Sequence, residues 1–134
     1  MVNKSGVAMN CKITIGYEND PSAGYVCFGS LKPEKDGFKL EYDFDGDKCT
    51  LVYRGGALQQ SRRGKMNTDI AFIAGRRTRC VTKDTELGYG CTLEVCTRSL
   101  NYKKTEKGFD LRLEYMLEDS HMLMNFTAEI VGEQ

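Results

Sequence analysis

The sequence predicts an all-β fold: a single closed antiparallel meander barrel of about eight to ten strands that spans residues 1–134. Three observations lead to this prediction. Apolar and polar residues alternate with a period of two over most of the chain, which is typical of half-buried strands. Short turn signals separate the alternating segments at the spacing of a sandwich or barrel. Successive hairpins without long returns favour an up-and-down barrel over a Greek key.

The alternating segments differ in strength along the chain. Between residues 57 and 83 the pattern weakens, and strands with one polar face are predicted at about 70–74 and 76–83. Asp45-Gly46 is typical of a type I′ hairpin turn. Residues 101–108 are polar and are predicted to be a connection. The strongest predicted strands are 9–17, 24–31, 38–44, 49–53, 91–99, 109–117 and 122–130.

The apolar parity of these strands predicts the barrel interior. A barrel of this size is just wide enough to be filled by side chains or to hold one small ligand. Both alternatives stay open from the sequence, with a filled core slightly favoured. The predicted inward side chains are Ile13, Ile15, Phe38, Leu40, Tyr42, Leu51, Tyr53, Leu93, Val95, Leu111, Leu113, Tyr115, Met124 and Phe126.

Four residues are candidates for binding a small anionic or amphipathic molecule in or at the mouth of the barrel. Tyr42, Tyr115 and Thr97 share parity with the inward set, and buried hydroxyls need partners that a ligand would supply. Arg54 ends a strand beside Gly55-Gly56, where a guanidinium and backbone N–H groups suit a carboxylate or phosphate. The simpler alternatives are bonds to backbone or water for the hydroxyls and a surface ion pair for Arg54.

Charge is unevenly distributed in a chain whose formal net charge is zero. Residues 54–83 contain eight basic residues and one acidic residue. The alternative function is therefore an interaction module for nucleic acid or protein, using Arg62, Arg63, Arg76, Arg77 and Arg79. Single-strand binders add stacking aromatics to such a surface, and the pI of about 6.6 is low for a nucleic-acid-binding domain, so nucleic acid is the disfavoured partner.

The residue types typical of catalysis and metal binding are sparse. His121 is the only histidine, and the six cysteines include no C-x-x-C pair, so we expect no metal, no cofactor and no enzymatic activity. Cys11, Cys49 and Cys91 each lie two residues from apolar residues of the same parity and are interpreted as reduced core thiols.

The N-terminus has no apolar stretch after Lys4, and no apolar run in the chain is long enough to span a bilayer as a helix. We therefore expect a cytoplasmic protein with no membrane partner. The sequence carries no signal for oligomeric state.

From Phe38 onward the chain resembles the YwiB-like family, a set of small bacterial proteins of unknown function. The motifs are LVYRGGA at 51–57, the run from Gly75 through LGYGCTLEVCTRSL, and KGFDLRLEYML at 107–117. That family is similar to calycins, the lipocalin-like meander barrels, so the resemblance implies the same fold and a bacterial source. The Gly-x-Trp signature of true lipocalins is missing, because the chain has no tryptophan. The resemblance implies no active site.

Overall fold

Period-two alternation produces ten β-strands in residues 7–131, the part of the chain that the computed structural model describes. The only other regular element there is a short 3₁₀ turn at Pro21–Ala23. The strands are β1 Met9–Tyr17, β2 Tyr25–Glu34, β3 Gly37–Phe44, β4 Asp47–Arg54, β5 Ala57–Arg63, β6 Met66–Ile73, β7 Arg77–Asp84, β8 Gly90–Thr105, β9 Gly108–Leu117 and β10 Ser120–Ile130.

The strands form a closed antiparallel barrel in which each pairs with its neighbours in sequence. Closure is made by β1, which pairs with β2 on one side and with β10 on the other, from Cys11↔Ile130 to Tyr17↔Met124. Every described strand therefore has two partners, and no unpaired edge is left to template aggregation. The predicted closed meander barrel is confirmed.

Two tight turns show why particular residues end particular strands. Asp45 and Gly46 have φ values of 53° and 85°, and Gly55 and Gly56 have φ values of 57° and 84°. Positive φ at both central residues is the signature of the type I′ hairpin turn, whose twist matches that of the strands it joins. The turn predicted at Asp45-Gly46 is thus confirmed.

Two predictions of strand bounds are wrong. In the weak region β7 lies where a strand was predicted at 76–83, but no bounds were predicted for β5, and β6 begins at Met66, earlier than the predicted 70–74. Residues 101–105 continue β8 instead of forming a connection. The reason is a β-bulge between Thr97 and Ser99, which shifts the register of β8 against β9. Val95 faces inward before the bulge, whereas Leu100 and Tyr102 pack on the core after it. The change of parity hides the second half of this strand from a period-two pattern.

The two ends of the barrel carry different connections, because alternate turns of a meander lie at the same end. We call them the open end and the closed end. The open end carries residues 18–24, 45–46, 64–65, 85–89 and 118–119, and the closed end carries 35–36, 55–56, 74–76 and 106–107.

The closed end is filled by an aromatic plug, which consists of Phe38, Tyr53, Tyr102 and Phe109. The rings of Phe38 and Phe109 stack with centroids 3.9 Å apart, and those of Tyr53 and Tyr102 lie 4.7 Å apart. Aliphatic side chains such as Leu40, Leu51 and Leu113 fill the middle of the barrel and are fully buried. The filled interior expected from the sequence is therefore present in this part of the barrel.

We predict that Phe38→Ala destabilises the fold strongly, because it removes the centre of the plug. The expected loss in the free energy of unfolding is about 3–5 kcal/mol, the range for a buried Phe→Ala change. Phe28→Ala is the matched control, since Phe28 is 65% exposed and Phe38 only 1%. Urea denaturation of both variants measures this, and equal losses would contradict the assignment of the plug.

Candidate functional site

A cavity of about 570 Å³ opens into the barrel at its open end. Its size lies in the range of small-molecule sites, which are mostly apolar with a few placed polar groups. The lining side chains come from eight strands, β1 to β7 and β10, and from the connection that follows β1. The cavity is lined by Tyr17, Asn19, Asp20, Ala23, Tyr25, Tyr42, Phe44, Cys49, Gln60, Arg62, Thr68, Ile70, Cys80 and Met122.

Aromatic side chains form one wall of the cavity. Tyr17, Tyr25 and Phe44 end or begin strands at the open end with inward parity. The ring of Tyr25 stacks on that of Phe44 with centroids 4.5 Å apart, and this pairing holds both rings in place.

Arg62 is the one basic side chain among the lining residues. Its Nε donates a hydrogen bond to Oδ2 of Asp47 over 2.6 Å, and its guanidinium lies 5.2 Å from the ring centroid of Phe44. A cation over an aromatic face is favourable. Among the described residues, the structure gives the two terminal nitrogens of Arg62 no hydrogen-bond partner. They remain available to a planar anion, which guanidinium binds in a bidentate manner.

Asp47 holds this guanidinium in place from a buried position. Its side chain is 2% exposed and also accepts hydrogen bonds from the backbone N–H groups of Lys65, at 2.8 Å, and Met66, at 3.4 Å. These two backbone donors and Arg62 lower the pKa of Asp47 below its ordinary value of 3.8. Gly64 makes the approach possible, since a Cβ there would collide with the Asp47 carboxylate.

The phenols that line the cavity stay protonated across the physiological range. Burial raises the pKa of Tyr17, Tyr25 and Tyr42 above the ordinary value of 10.0. Each hydroxyl is therefore a neutral group that can donate or accept a hydrogen bond. Such groups orient a ligand without adding charge.

The thiols of Cys49 and Cys80 contribute apolar surface to the cavity. Burial raises the pKa of Cys49 and Cys80, so both are protonated at neutral pH, and all six cysteines are unpaired. Cys11 and Cys49 are buried as predicted, but Cys91 is exposed at the rim of the open end, so its assignment to the core is wrong. Cys91 has inward parity, but β8 begins at Gly90, so the side chain lies at the rim and is exposed to solvent.

The structure separates the four residues predicted to bind a small molecule. Tyr42 lines the cavity. Tyr115 lies beneath it, with its ring in an edge contact with Phe72 and its hydroxyl 3.5 Å from the sulfur of Met124. Thr97 is buried at the β8 bulge, and its Oγ1 has no partner among the described residues.

Arg54 lies at the closed end, away from the cavity. Its guanidinium forms a bidentate ion pair with Glu34, at 2.8 and 2.9 Å, and is two-thirds exposed. This is the surface ion pair that was the simpler alternative for Arg54. The pair raises the pKa of Arg54 and lowers that of Glu34.

The basic residues of the alternative interaction module are dispersed over the barrel. Arg62 faces into the cavity, whereas Arg63 pairs with Asp69 at 2.8 Å and Arg77 lies 3.8 Å from Glu94. Arg76 and Arg79 lie at the closed end and on the outer wall, respectively. Arg62, Arg63 and Arg77 thus each have a carboxylate partner. Arg63 and Arg79 line one groove of about 340 Å³ on the outer wall.

Sequence reasoning missed Arg62 as a lining residue of the cavity and Asp47 as its buried partner. The available signal was period-two parity. In β5, Gln60 and Arg62 share the parity of the buried Leu58. In β4, Asp47 shares the parity of the buried Cys49 and Leu51. For β5 this parity is not evident from the sequence alone, because the alternation between residues 57 and 63 is too weak to mark the strand.

Within residues 7–131, no set of three or more His, Cys, Asp and Glu side chains is arranged to hold a metal ion. The same residues include no helix of the length and hydropathy that crossing a membrane requires.

The fold and the cavity define a class: an antiparallel meander barrel, plugged at one end and open at the other, consistent with a calycin-like barrel. The family model described as "Domain of unknown function (DUF1934)" matches residues 9–128, so the chain belongs to this family. The crystal structure of the ywiB protein from Bacillus subtilis is similar, with a TM-score of 0.75 and 18% sequence identity over 93% of this chain and 92% of that chain. At this identity the likeness shows the fold. No curated protein matches the chain. The expected resemblance to the YwiB-like family is confirmed.

We predict that Asp47 contributes stability that depends on pH. Because folding lowers its pKa, the contribution is fully present above about pH 5 and is lost as the pH falls through the folded-state pKa. The stability difference between the wild type and Asp47→Asn should therefore be largest at neutral pH and shrink below pH 4. Denaturant titrations from pH 3 to pH 7 measure it.

The matched control is Asp36→Asn in the exposed turn at the closed end. This surface substitution should change stability by no more than about 0.5 kcal/mol at any pH. A pH-independent difference for Asp47→Asn would show that the carboxylate is not held in its charged form by Lys65, Met66 and Arg62.

Proposed function

We propose that the barrel binds one small amphipathic molecule in the cavity at its open end. The apolar part of the ligand would lie among the aromatic rings, Ile70 and Met122, and an acidic group of its polar end would meet the terminal nitrogens of Arg62. The observation that carries the proposal is the guanidinium of Arg62, which Asp47 orients into an otherwise largely apolar cavity of about 570 Å³.

Several features of the site support binding. A buried carboxylate is costly unless its hydrogen bonds are satisfied, and here three donors satisfy Asp47 while leaving one edge of Arg62 free. The phenols of Tyr25 and Tyr42 supply neutral polar contacts at fixed positions. A preformed site of this kind spends little free energy on ordering its side chains when the ligand binds.

The proposal includes the expectation from the sequence that the protein is not an enzyme. The only histidine, His121, lies on the outer surface, where its Nε2 is 2.8 Å from Glu114 and its side chain is about half exposed. It lies on the outer side of β10, and its imidazole is not among the side chains that line the cavity. The chemistry that the lining residues support is recognition of shape and charge.

The test of the proposal is a cavity-filling variant. Cys80→Phe places a ring in the cavity, so it should weaken binding of the uncharged fluorescent amphiphile N-phenyl-1-naphthylamine by about tenfold or more, equivalent to about 1.4 kcal/mol. Fluorescence titration measures the Kd. An uncharged probe makes the result independent of the polar end of the natural ligand.

Cys96→Phe is the matched control. Cys96 lies in β8 with outward parity, and its partners across the sheet are Arg77 and Met116. This variant should bind the probe as the wild type does. Unchanged binding in Cys80→Phe, with its melting temperature preserved, would contradict the proposal.

A further inference from the structure

We propose that the natural ligand carries a zwitterionic head group, with an acidic group at Arg62 and an ammonium group at Asp20 beside the aromatic wall. This inference rests on the proposed function and deepens it by naming the chemical class of the ligand. The juxtaposition that carries it is one cavity lined by a guanidinium and a carboxylate of opposite charge.

Arg62 provides the half of the site that binds the acidic group. Only its Nε is used by Asp47, so both terminal nitrogens remain for a carboxylate or phosphate. Asp47 does not compete for them, because its other oxygen is bonded to the backbone of Lys65. The guanidinium is also fixed against Phe44, which sets the plane in which the acidic group binds.

Asp20 provides the half of the site that binds the cation. It lines the cavity from the connection after β1, and in the described chain its carboxylate accepts one hydrogen bond, from Oγ of Ser22 at 2.8 Å. The rings of Tyr17 and Tyr25 line the same cavity. Aromatic faces attract ammonium groups, and quaternary ammonium ligands are bound in cages of aromatic rings. The carboxylate of Asp20 adds an opposite charge beside the rings.

The charge around the open end disfavours a ligand that is only anionic. Its five connections hold six acidic residues and one basic residue, whereas the four connections of the closed end hold two acidic and three basic residues. Of the six, Glu18 is paired with Arg112, and the others have no basic partner within 4 Å in residues 7–131. Such a rim repels anions and attracts cations.

The cavity itself has the same bias. Asp47 is buried behind the lining and already compensates the charge of Arg62, so Arg62, Asp47 and Asp20 together give the site a net charge of −1. An isolated anion would meet this net negative charge in addition to the acidic rim. A zwitterion satisfies Arg62 and Asp20 at once and brings no net charge into the site.

The experiment compares three probes that share one octyl chain and differ only in the head group. They are octanoate, octyltrimethylammonium and N-octyl-N,N-dimethylglycine, and each competes with N-phenyl-1-naphthylamine for the full-length protein. The zwitterionic probe should bind at least about tenfold more tightly than octanoate, with octyltrimethylammonium between them. Equal Kd values, or tightest binding of octanoate, would overturn the inference.

Two variants test whether the charges of Asp20 and Arg62 cause the preference for the zwitterionic probe. Asp20→Asn should remove most of the advantage of the zwitterionic probe over octanoate, and Arg62→Gln should remove its advantage over octyltrimethylammonium. Asp36→Asn and Arg98→Gln are the matched controls, since both positions are exposed and neither lines the cavity. Asp20 lies in an exposed connection, so its variant keeps the test valid if Arg62→Gln fails to fold.

The outcomes separate this inference from the proposed function. If all three probes displace the fluorophore equally and Cys80→Phe still weakens its binding, the cavity binds amphiphiles without head-group selection and only the inference fails. If no octyl probe displaces the fluorophore and Cys80→Phe binds it as the wild type does, the proposed function fails as well. Loss of selectivity in the control variants would also overturn the assignment to Arg62 and Asp20.

Discussion

The pairing of β1 with both β2 and β10 is the interaction on which the rest of the structure depends. It closes the sheet with ten strands, and a barrel of about eight strands is already just filled by its side chains. A ten-stranded barrel must therefore pack large side chains to close its interior. Rings of Phe38 and its neighbours do this at one end, and the absence of a second plug leaves a cavity at the other.

The charged part of the cavity is arranged around a buried carboxylate. A buried charge destabilises a fold unless it is fully hydrogen-bonded, and Asp47 obtains two of its donors from the backbone of the β5–β6 turn. That turn needs Gly64, so the backbone, the carboxylate and Arg62 form one unit. This unit holds the two terminal nitrogens of the Arg62 guanidinium in a fixed orientation toward the cavity, which is the basis of the proposed binding site.

Much of the fold was predictable from the sequence because period-two alternation and short turns determine a meander barrel locally. Asp45-Gly46 and the inward set around Leu40 and Leu113 illustrate this. The bulge at Thr97 was not predictable, since a change of parity within a strand looks like the end of the strand. Of the four residues predicted to bind a small molecule, only Tyr42 lines the cavity. Grouping Arg62 with Asp47 requires knowing which strands are neighbours, which alternation alone does not provide.

The central claim is that small molecules bind at the open end and not at the closed end. Its most direct test is an NMR titration of isoleucine methyl groups with the zwitterionic octyl probe. Ile70 lines the large cavity, whereas Ile130 lines a cavity of only about 70 Å³ beside the aromatic plug. The Ile70 signal should shift in a saturable manner while that of Ile130 stays in place. A saturable shift of Ile130 without one of Ile70 would contradict the account.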